Sequence, residues 1–293
     1  KDRTAVTTQL VSCFALEPHR ISSLSIKDVS INGVWVSDKK IGLGDLNGNR
    51  FTITLTKENC GVDLVSKDLT EKLALNDYLF PNFFGYQRFG SVRCNTHLVG
   101  LELLKGSFEK GVMNFLCFSE GERDAECVEA RKRLEKEMDF KEALNYFPGL
   151  LKYERTLLSH LALHPHDFAG AFSRLPRNLQ LLFVHAFQSH LFNIDLRERI
   201  KNGEWSVEEK GKLIGFDSEV SEEEEKKLSE YGLTRDSFRF KILSYLSTKG
   251  SERNYFTRAK DFQVLSESPL VIRFSLSPGV YATTLLDFLL GTN

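Results

Sequence analysis

Apolar and polar positions divide the chain into three stretches. The first hundred residues read mainly as β. Thr4–Phe14 and Ser30–Ser37 are rich in β-branched residues and carry no breaker, which predicts strands. Asn47-Gly48 is a strong turn signal, and after it Phe51, Ile53 and Leu55 alternate with Arg50, Thr52 and Thr54, as a half-buried strand does. Leu64–Leu75 reads as a helix and Pro81–Gly90 as a loop, and Leu98, Leu101 and Leu104 resume helical spacing. From about Ser107 to Gln263 the pattern is helical. Residues 122–145, Leu151–Leu163 and a stripe of Leu179, Leu182, Phe183, Ala186 and Leu191 opened by Pro176 all keep the 3.6-residue period. Glu222–Lys227 reads as a solvated helix face. At the end Leu270, Ile272, Phe274 and Leu276 alternate as a strand, Pro278-Gly279 turns, and Ala282–Leu290 forms a short helix.

The last strand needs a sheet to join. The layout therefore predicts an α+β domain with a mixed or antiparallel sheet, interrupted by a mostly helical insertion, rather than two tandem domains. The expected boundaries are 1–107, 108–262 and 263–293.

Composition narrows the classes. The 293 residues are 41% hydrophobic and 27% charged, ordinary for a globular chain. A net charge of −1 argues against a uniformly basic protein that coats nucleic acid, but it leaves a local basic cleft open. Five widely spaced cysteines (Cys13, Cys60, Cys94, Cys117, Cys127) without a CxxC pair predict buried free thiols in a reducing compartment, the cytoplasm. No apolar run approaches the ~18 residues of a membrane span. The chain starts at Lys1 in what reads as a strand, so an N-terminal portion is expected to precede it.

Candidate chemistry is sparse. No P-loop, dinucleotide fingerprint, HExxH or GxSxG is present. His160, His164 and His166 could offer imidazoles to a metal, as a metal-dependent nuclease would need, but Pro165 interrupts the helix between them. A favourable helix C-terminus is the competing explanation. His185 and His190 read as packing or polar-face residues. The densest segment is Asn82-Phe83-Phe84-Gly85-Tyr86-Gln87-Arg88-Phe89-Gly90. Composition alone leaves two readings: an aromatic plug at the end of a core, or a platform on which an unstacked base rests. Asp2 lies between Lys1 and Arg3, cations that favour its ionised form, and could act as nucleophile or general base.

Two of these segments carry a family resemblance. KDRTAVTTQ resembles the first motif of the TruD family of pseudouridine synthases, with Lys1, Asp2, Arg3, Ala5, Thr7 and Gln9 in place. NFFGYQRFG resembles the second, Leu175–Asn193 is similar to the third, and SLSPGVYATTLL is similar to the C-terminal segment. The resemblance implies isomerisation of uridine to pseudouridine in an RNA, with position 13 of tRNA the expected target, and no cofactor or metal. It implies that Asp2 is the catalytic carboxylate, that Phe84 stacks on the target base, and that Asn82 lies beside the aspartate. Gln87, Arg88 and Lys1 hold the loop, the RNA or the carboxylate. Arg174 with Arg177, and Arg253 with Arg258 and Lys260, are candidate contacts to the RNA backbone. The alternative is a non-catalytic RNA-binding or RNA-folding module on the same fold. No membrane partner is expected, and the oligomeric state is not legible.

Overall fold

The computed structural model describes residues 5–42, 44–56 and 66–291. It divides into two units, residues 1–49 and 50–293. In the first, Pro18 at the first turn opens a short helix, α1 (Pro18–Ser22), and Ile26 and Val29 form an isolated bridge. Residues 5–14 and 30–37 join no ladder among the described residues, contrary to the strand expectation. β-branched content favours an extended backbone, but a strand also needs a neighbour to accept its N–H and C=O groups.

The second unit holds the sheets and the helices. β1 (Asn49–Leu55), β6 (Lys260–Glu267) and β7 (Leu270–Leu276) form a three-stranded sheet in the order β1-β7-β6. The Asn47-Gly48 turn therefore leads into a strand whose neighbour comes from the far end of the chain. β6 and β7 pair antiparallel, with Val264 opposite Ile272. Leu270, Ile272, Phe274 and Leu276 alternate inward along β7 as their spacing predicts. α2 (Ser66–Leu75) and α11 (Ala282–Leu290) cover this sheet, packing Leu69, Leu73, Leu285 and Leu289 on Phe274 and Ile272. β2 (Leu79–Pro81) pairs antiparallel with β5 (Phe256–Arg258), and β3 (Lys210–Ile214) with β4 (Gly250–Asn254). The fold is α+β, with its strands drawn from both ends of the unit.

Between those ends runs a helical series. It comprises α3 (Thr96–Leu104), α4 (Phe108–Cys117), α5 (Ala125–Glu137), α6 (Phe140–Tyr146), α7 (Lys152–Leu161), α8 (Phe168–Ser173), α9 (Arg177–Lys201) and α10 (Glu222–Glu230). The stretch 122–145 is two helices. Met138 takes a left-handed conformation after α5, and Asp139 caps α6 by accepting from the N–H groups of Lys141 and Glu142. Pro176 opens α9 as expected. α9 is the spine of the series, and α3 lies against it so closely that a Cβ on Gly100 would stand 2.0 Å from the Phe183 carbonyl oxygen.

A buried ion cluster ties the series together. Arg131 on α5 and Arg93 both donate to Glu154 Oε1 on α7, at 2.8 and 3.1 Å. Arg131 also donates to the Leu116 carbonyl, and Arg93 to those of Phe115 and Phe118. The two guanidiniums thereby cap the carbonyls left over at the end of α4. Burial, reinforced by the Arg131 charge, pushes Arg93 down to about 10, against the pull of Glu154. Glu122 adds a second carboxylate 3.7 Å from Arg131, so two cations face two anions. The cysteines depart from expectation: Cys117 and Cys127 are buried, but Cys13 and Cys94 are exposed, and Cys60 lies outside the described residues.

Glu154→Ala leaves Arg131 and Arg93 buried with their charge uncompensated. Loss of one partner of a buried pair costs about 3–5 kcal/mol, and chemical denaturation should show a drop of that size. The half-exposed pair Glu102–Lys105 offers the contrast: Glu102→Ala should cost ~1 kcal/mol or less.

Candidate functional site

The segment Asn82–Gly90 leaves β2 at Pro81, which has no N–H to continue a ladder. Asn82 extends the contact by one residue, its N–H donating to the Tyr255 carbonyl at 2.8 Å. From there the backbone leaves regular structure, so its polar groups must be met by side chains. Asn193 on α9 does this for Phe84. Its Oδ1 accepts from the Phe84 N–H at 2.9 Å and its Nδ2 donates to the Phe84 carbonyl at 3.0 Å, both bonds buried.

Asn82 is buried, and Arg253 at the end of β4 grips it twice. Arg253 Nε donates to the Asn82 carbonyl at 3.1 Å and Nη2 to Asn82 Oδ1 at 2.5 Å. Its Nη1 reaches the Gly279 carbonyl at 3.0 Å. Asn82 Nδ2 in turn donates to the Asn254 carbonyl at 2.8 Å. One guanidinium thus joins the segment, the end of β4 and the Pro278-Gly279 turn.

The Phe84 ring is only 7% exposed. Phe192 meets it edge-on at 5.5 Å and Tyr281 at 6.2 Å. Two guanidiniums lie over it, Arg253 with Cζ 4.1 Å from the ring centroid and Arg88 at 5.3 Å. Arg253 is pushed down to about 10, first by burial and also by the Arg88 charge, while Tyr281 opposes the shift. Arg253 is anchored by three hydrogen bonds. The buried Nε of Arg88 has no hydrogen-bond partner among the described residues. Gln87 Oε1 accepts from the Thr283 hydroxyl at 3.4 Å, bracing the segment on the start of α11. Gly85 is where these groups crowd: a Cβ there would lie 2.7 Å from Gln87 Oε1 and 3.0 Å from the Tyr281 ring.

Behind the segment, His97 on α3 and His190 on α9 stack at 4.6 Å, with Phe89 edge-on to both. Burial holds both imidazoles below their usual range, His190 at about 4 with help from His97 and Arg197. At neutral pH the pair is therefore uncharged. His185 is lowered too, by burial and then by Arg88.

The structure brings Asn82, Phe84, Gln87 and Arg88 together. Lys1, Asp2 and Arg3 lie outside the described residues. The His160 segment serves a helix junction: His160 Nε2 lies 2.8 Å from Asp167 Oδ2, and Asp167 Oδ1 accepts from the Gly170 N–H to cap α8. Among the described residues no three His, Cys, Asp or Glu side chains converge as a metal site, and no helix is long and apolar enough to cross a membrane. Sequence reasoning grouped Arg253 with Arg258 and Lys260 as RNA contacts. The structure separates them: Arg253 is half-buried and bonded to Asn82, and Arg258 pairs with Asp77. It overlooked Asn193 and Tyr281. The available signal was an amide on the apolar stripe of α9, which has to bond to something.

A family model described as tRNA pseudouridine synthase D (TruD) matches residues 1–224 and 210–287. A protein of Methanopyrus kandleri named "Probable tRNA pseudouridine synthase D" is 38% identical over all of this chain and 77% of its own length. One of the same name from Methanosarcina acetivorans is 32% identical over 98% of this chain and 78% of its own length. A crystal structure of a tRNA pseudouridine synthase D from Methanosarcina mazei superposes with a TM-score of 0.75 at 30% identity, over 95% of this chain and 76% of that one.

Asn193→Ala strips the buried Phe84 N–H and carbonyl of their partners. At about 1–3 kcal/mol per orphaned group, a loss of ~2–6 kcal/mol is expected by chemical denaturation. Asn178→Ala, exposed near the start of the same helix, should change stability by less than ~0.5 kcal/mol.

Proposed function

The chain belongs to the tRNA pseudouridine synthase D family, and from that premise we propose that its uridine-to-pseudouridine isomerisation takes place in tRNA, at position 13, with Asp2 as the catalytic carboxylate and Phe84 as the surface on which the flipped uracil stacks. The observation that supports this reading most is the way the Asn82–Arg88 segment is held. An aromatic ring and an amide, neither on regular structure, are fixed by side-chain bonds from α9 and β4. Rigid support of this kind is what a site needs to position a base.

The reaction breaks the N-glycosidic bond, turns the uracil, and joins C5 to the ribose carbon; the proton lost from C5 is balanced by one gained at N1. Nothing is oxidised or reduced overall, and the chemistry calls for no redox or energy-carrying cofactor. Asp2 serves as nucleophile or base. Attack at ribose C1′, addition at uracil C6 and removal of a ribose proton all remain compatible with a carboxylate in that role.

Taking a uridine out of its stack costs a few kcal/mol, and stacking on an aromatic ring returns about 1–3 kcal/mol. In the free chain guanidiniums cover the Phe84 ring. Arg253 is anchored and Arg88 is not, so Arg88 is the group that yields to the base, exchanging its cation–π contact for the uracil or a flanking phosphate. Asn82, with Oδ1 held by Arg253, is a fixed polar neighbour for the base. Gln87 braces the segment from the α11 side. Lys1, next to Asp2 in the sequence, is the cation that would favour its ionised form. The cytoplasm, where tRNA is matured, is the expected site of action.

With tRNA carrying uridine at position 13, Asp2→Ala should abolish chemically detected pseudouridine and leave RNA binding nearly unchanged. Product that persists would remove Asp2 from the catalytic role. Binding without product by the parent chain would favour the RNA-binding module instead. Phe84→Ala should slow turnover by about tenfold or more, the rate equivalent of lost stacking; an unchanged rate would leave Phe84 a packing residue.

A further inference from the structure

We propose that Arg174, Arg177, Arg239 and Lys241 form a surface that binds the sugar–phosphate backbone of the RNA substrate. The proposal rests on the reading that the substrate is an RNA.

The observation that carries it is an uneven distribution of charge. The chain has 40 acidic residues, yet none falls between Phe168 and Ile194 and none between Ser237 and Ser251. These two acid-free stretches meet in the fold. The Arg177 guanidinium lies over the Tyr245 ring at 4.7 Å, and the Tyr245 hydroxyl donates to Gln180 Oε1. Gln180 is buried and holds the Leu175 carbonyl at 2.5 Å, which fixes the turn carrying Arg174 and Arg177. The second stretch is pinned across itself, Thr248 N–H to the Phe238 carbonyl at 3.2 Å and Phe240 N–H to Ser247 Oγ at 2.9 Å. Arg239 rests on the Phe216 ring at 4.2 Å.

All four cations are exposed. None of them makes an ion pair with any described residue. The carboxylates bounding the stretches are largely engaged elsewhere: Asp167 with His160, Asp195 with Lys227, and Glu252 with Lys210. Asp236 bounds the second stretch and is in no such pair. Asp217, whose N–H donates to the Lys249 carbonyl, brings an acid to the other end, so Lys249 is not part of the surface. Unpaired cations laid on aromatic faces are preordered and keep their N–H groups for an outside acceptor, and Arg suits the phosphate fork.

Position also favours RNA. α9 runs from Arg177 to Asn193, which holds Phe84. At 1.5 Å per residue the two are about 24 Å apart along one rigid helix. That is a span a folded RNA covers easily while one of its bases is held at Phe84.

The test measures binding of a tRNA transcript to the full chain across salt concentrations, separately from product formation. The variant Arg174→Gln/Arg177→Gln/Arg239→Gln/Lys241→Gln should bind about tenfold or more weakly. Its plot of log Kd against log salt should be shallower by about two to four, since each phosphate contact contributes about 0.7–0.9. Turnover at saturating RNA should be unchanged. Arg174→Gln/Lys241→Gln removes neither stacked guanidinium and should give about half the change in slope. Lys132→Gln/Lys136→Gln/Lys141→Gln, at exposed positions on α5 and α6, should match the parent. Parental affinity and slope in the surface variants would overturn the proposal, and so would an equal loss in the α5–α6 variant. A parent chain that binds RNA but makes no pseudouridine would defeat the catalytic reading alone, because the slopes still decide the surface.

Discussion

A buried backbone cannot leave its N–H and carbonyl groups unpaired, and around Phe84 this requirement organises the molecule. After Pro81 the chain has no ladder to join. Asn193 supplies both missing partners for Phe84; at Asn82 the Tyr255 carbonyl accepts from the N–H and Arg253 donates to the carbonyl. Asn193 can do so only if α9 runs alongside the segment. The position of α9 depends in turn on close packing against α3, where Gly100 admits the Phe183 carbonyl. The long helix is thus set by packing in its first half and read out as hydrogen bonds further along. Sheet strands from the two ends of the unit and helices from its middle meet at this segment.

Two pairs of guanidiniums show how the same group serves different ends. Arg131 and Arg93 face Glu154 and Glu122, and their remaining N–H groups end α4. That cluster is charge-balanced, with the Arg131 Nε left 3.7 Å from Glu122 and without a hydrogen bond among the described residues. Arg253 and Arg88 share one aromatic ring, and no carboxylate among the described residues pairs with either of them. Their mutual repulsion and the burial of Arg253 lower its affinity for its proton. A site that accumulates positive charge without a counterion is poised for an anion, whether a carboxylate of the chain or a phosphate of the substrate. The first pair stabilises the helical series. The second costs stability at the place where the family's chemistry is expected, as functional sites often do.

Much of this was legible in the sequence where periodicity decided it. β7, α11 and the Pro176 start of α9 fall where alternation, helical spacing and the breaker put them. Residues 5–14 and 30–37 were misread because β-branched composition reports a preference for extended backbone, not the existence of a neighbour. The Asn82–Gly90 segment was visible because aromatic, glycine and amide residues crowd into it. What composition could not show is how the segment is held. The rings are packed against α9, and the ring expected to receive the base is covered by cations. Arg253 was legible as a cation but not as an anchored one, because one of its anchors is a turn at Pro278-Gly279 that is remote in sequence. Asp2, the residue on which the resemblance lays most weight, belongs to a stretch that the structure leaves undescribed.

The near-neutral total charge acquires a different meaning once it is read by segment. A net charge of −1 excludes a surface basic all over, yet forty acids spread unevenly leave two long stretches without any. In the fold those stretches adjoin, and the acids around them are largely consumed in ion pairs on α9, α10 and β4. Neutrality elsewhere sharpens such a surface: a uniformly basic protein would attract RNA in every orientation, whereas one local field sets a register. On the proposed reading a division of labour follows from chemistry: contacts to the RNA backbone set where it lies and respond to salt, and the aromatic segment, shielded and uncharged apart from its two guanidiniums, receives the base taken from the stack. Because one helix carries Arg177 at its start and Asn193 beyond its middle, both functions are measured against the same rigid element.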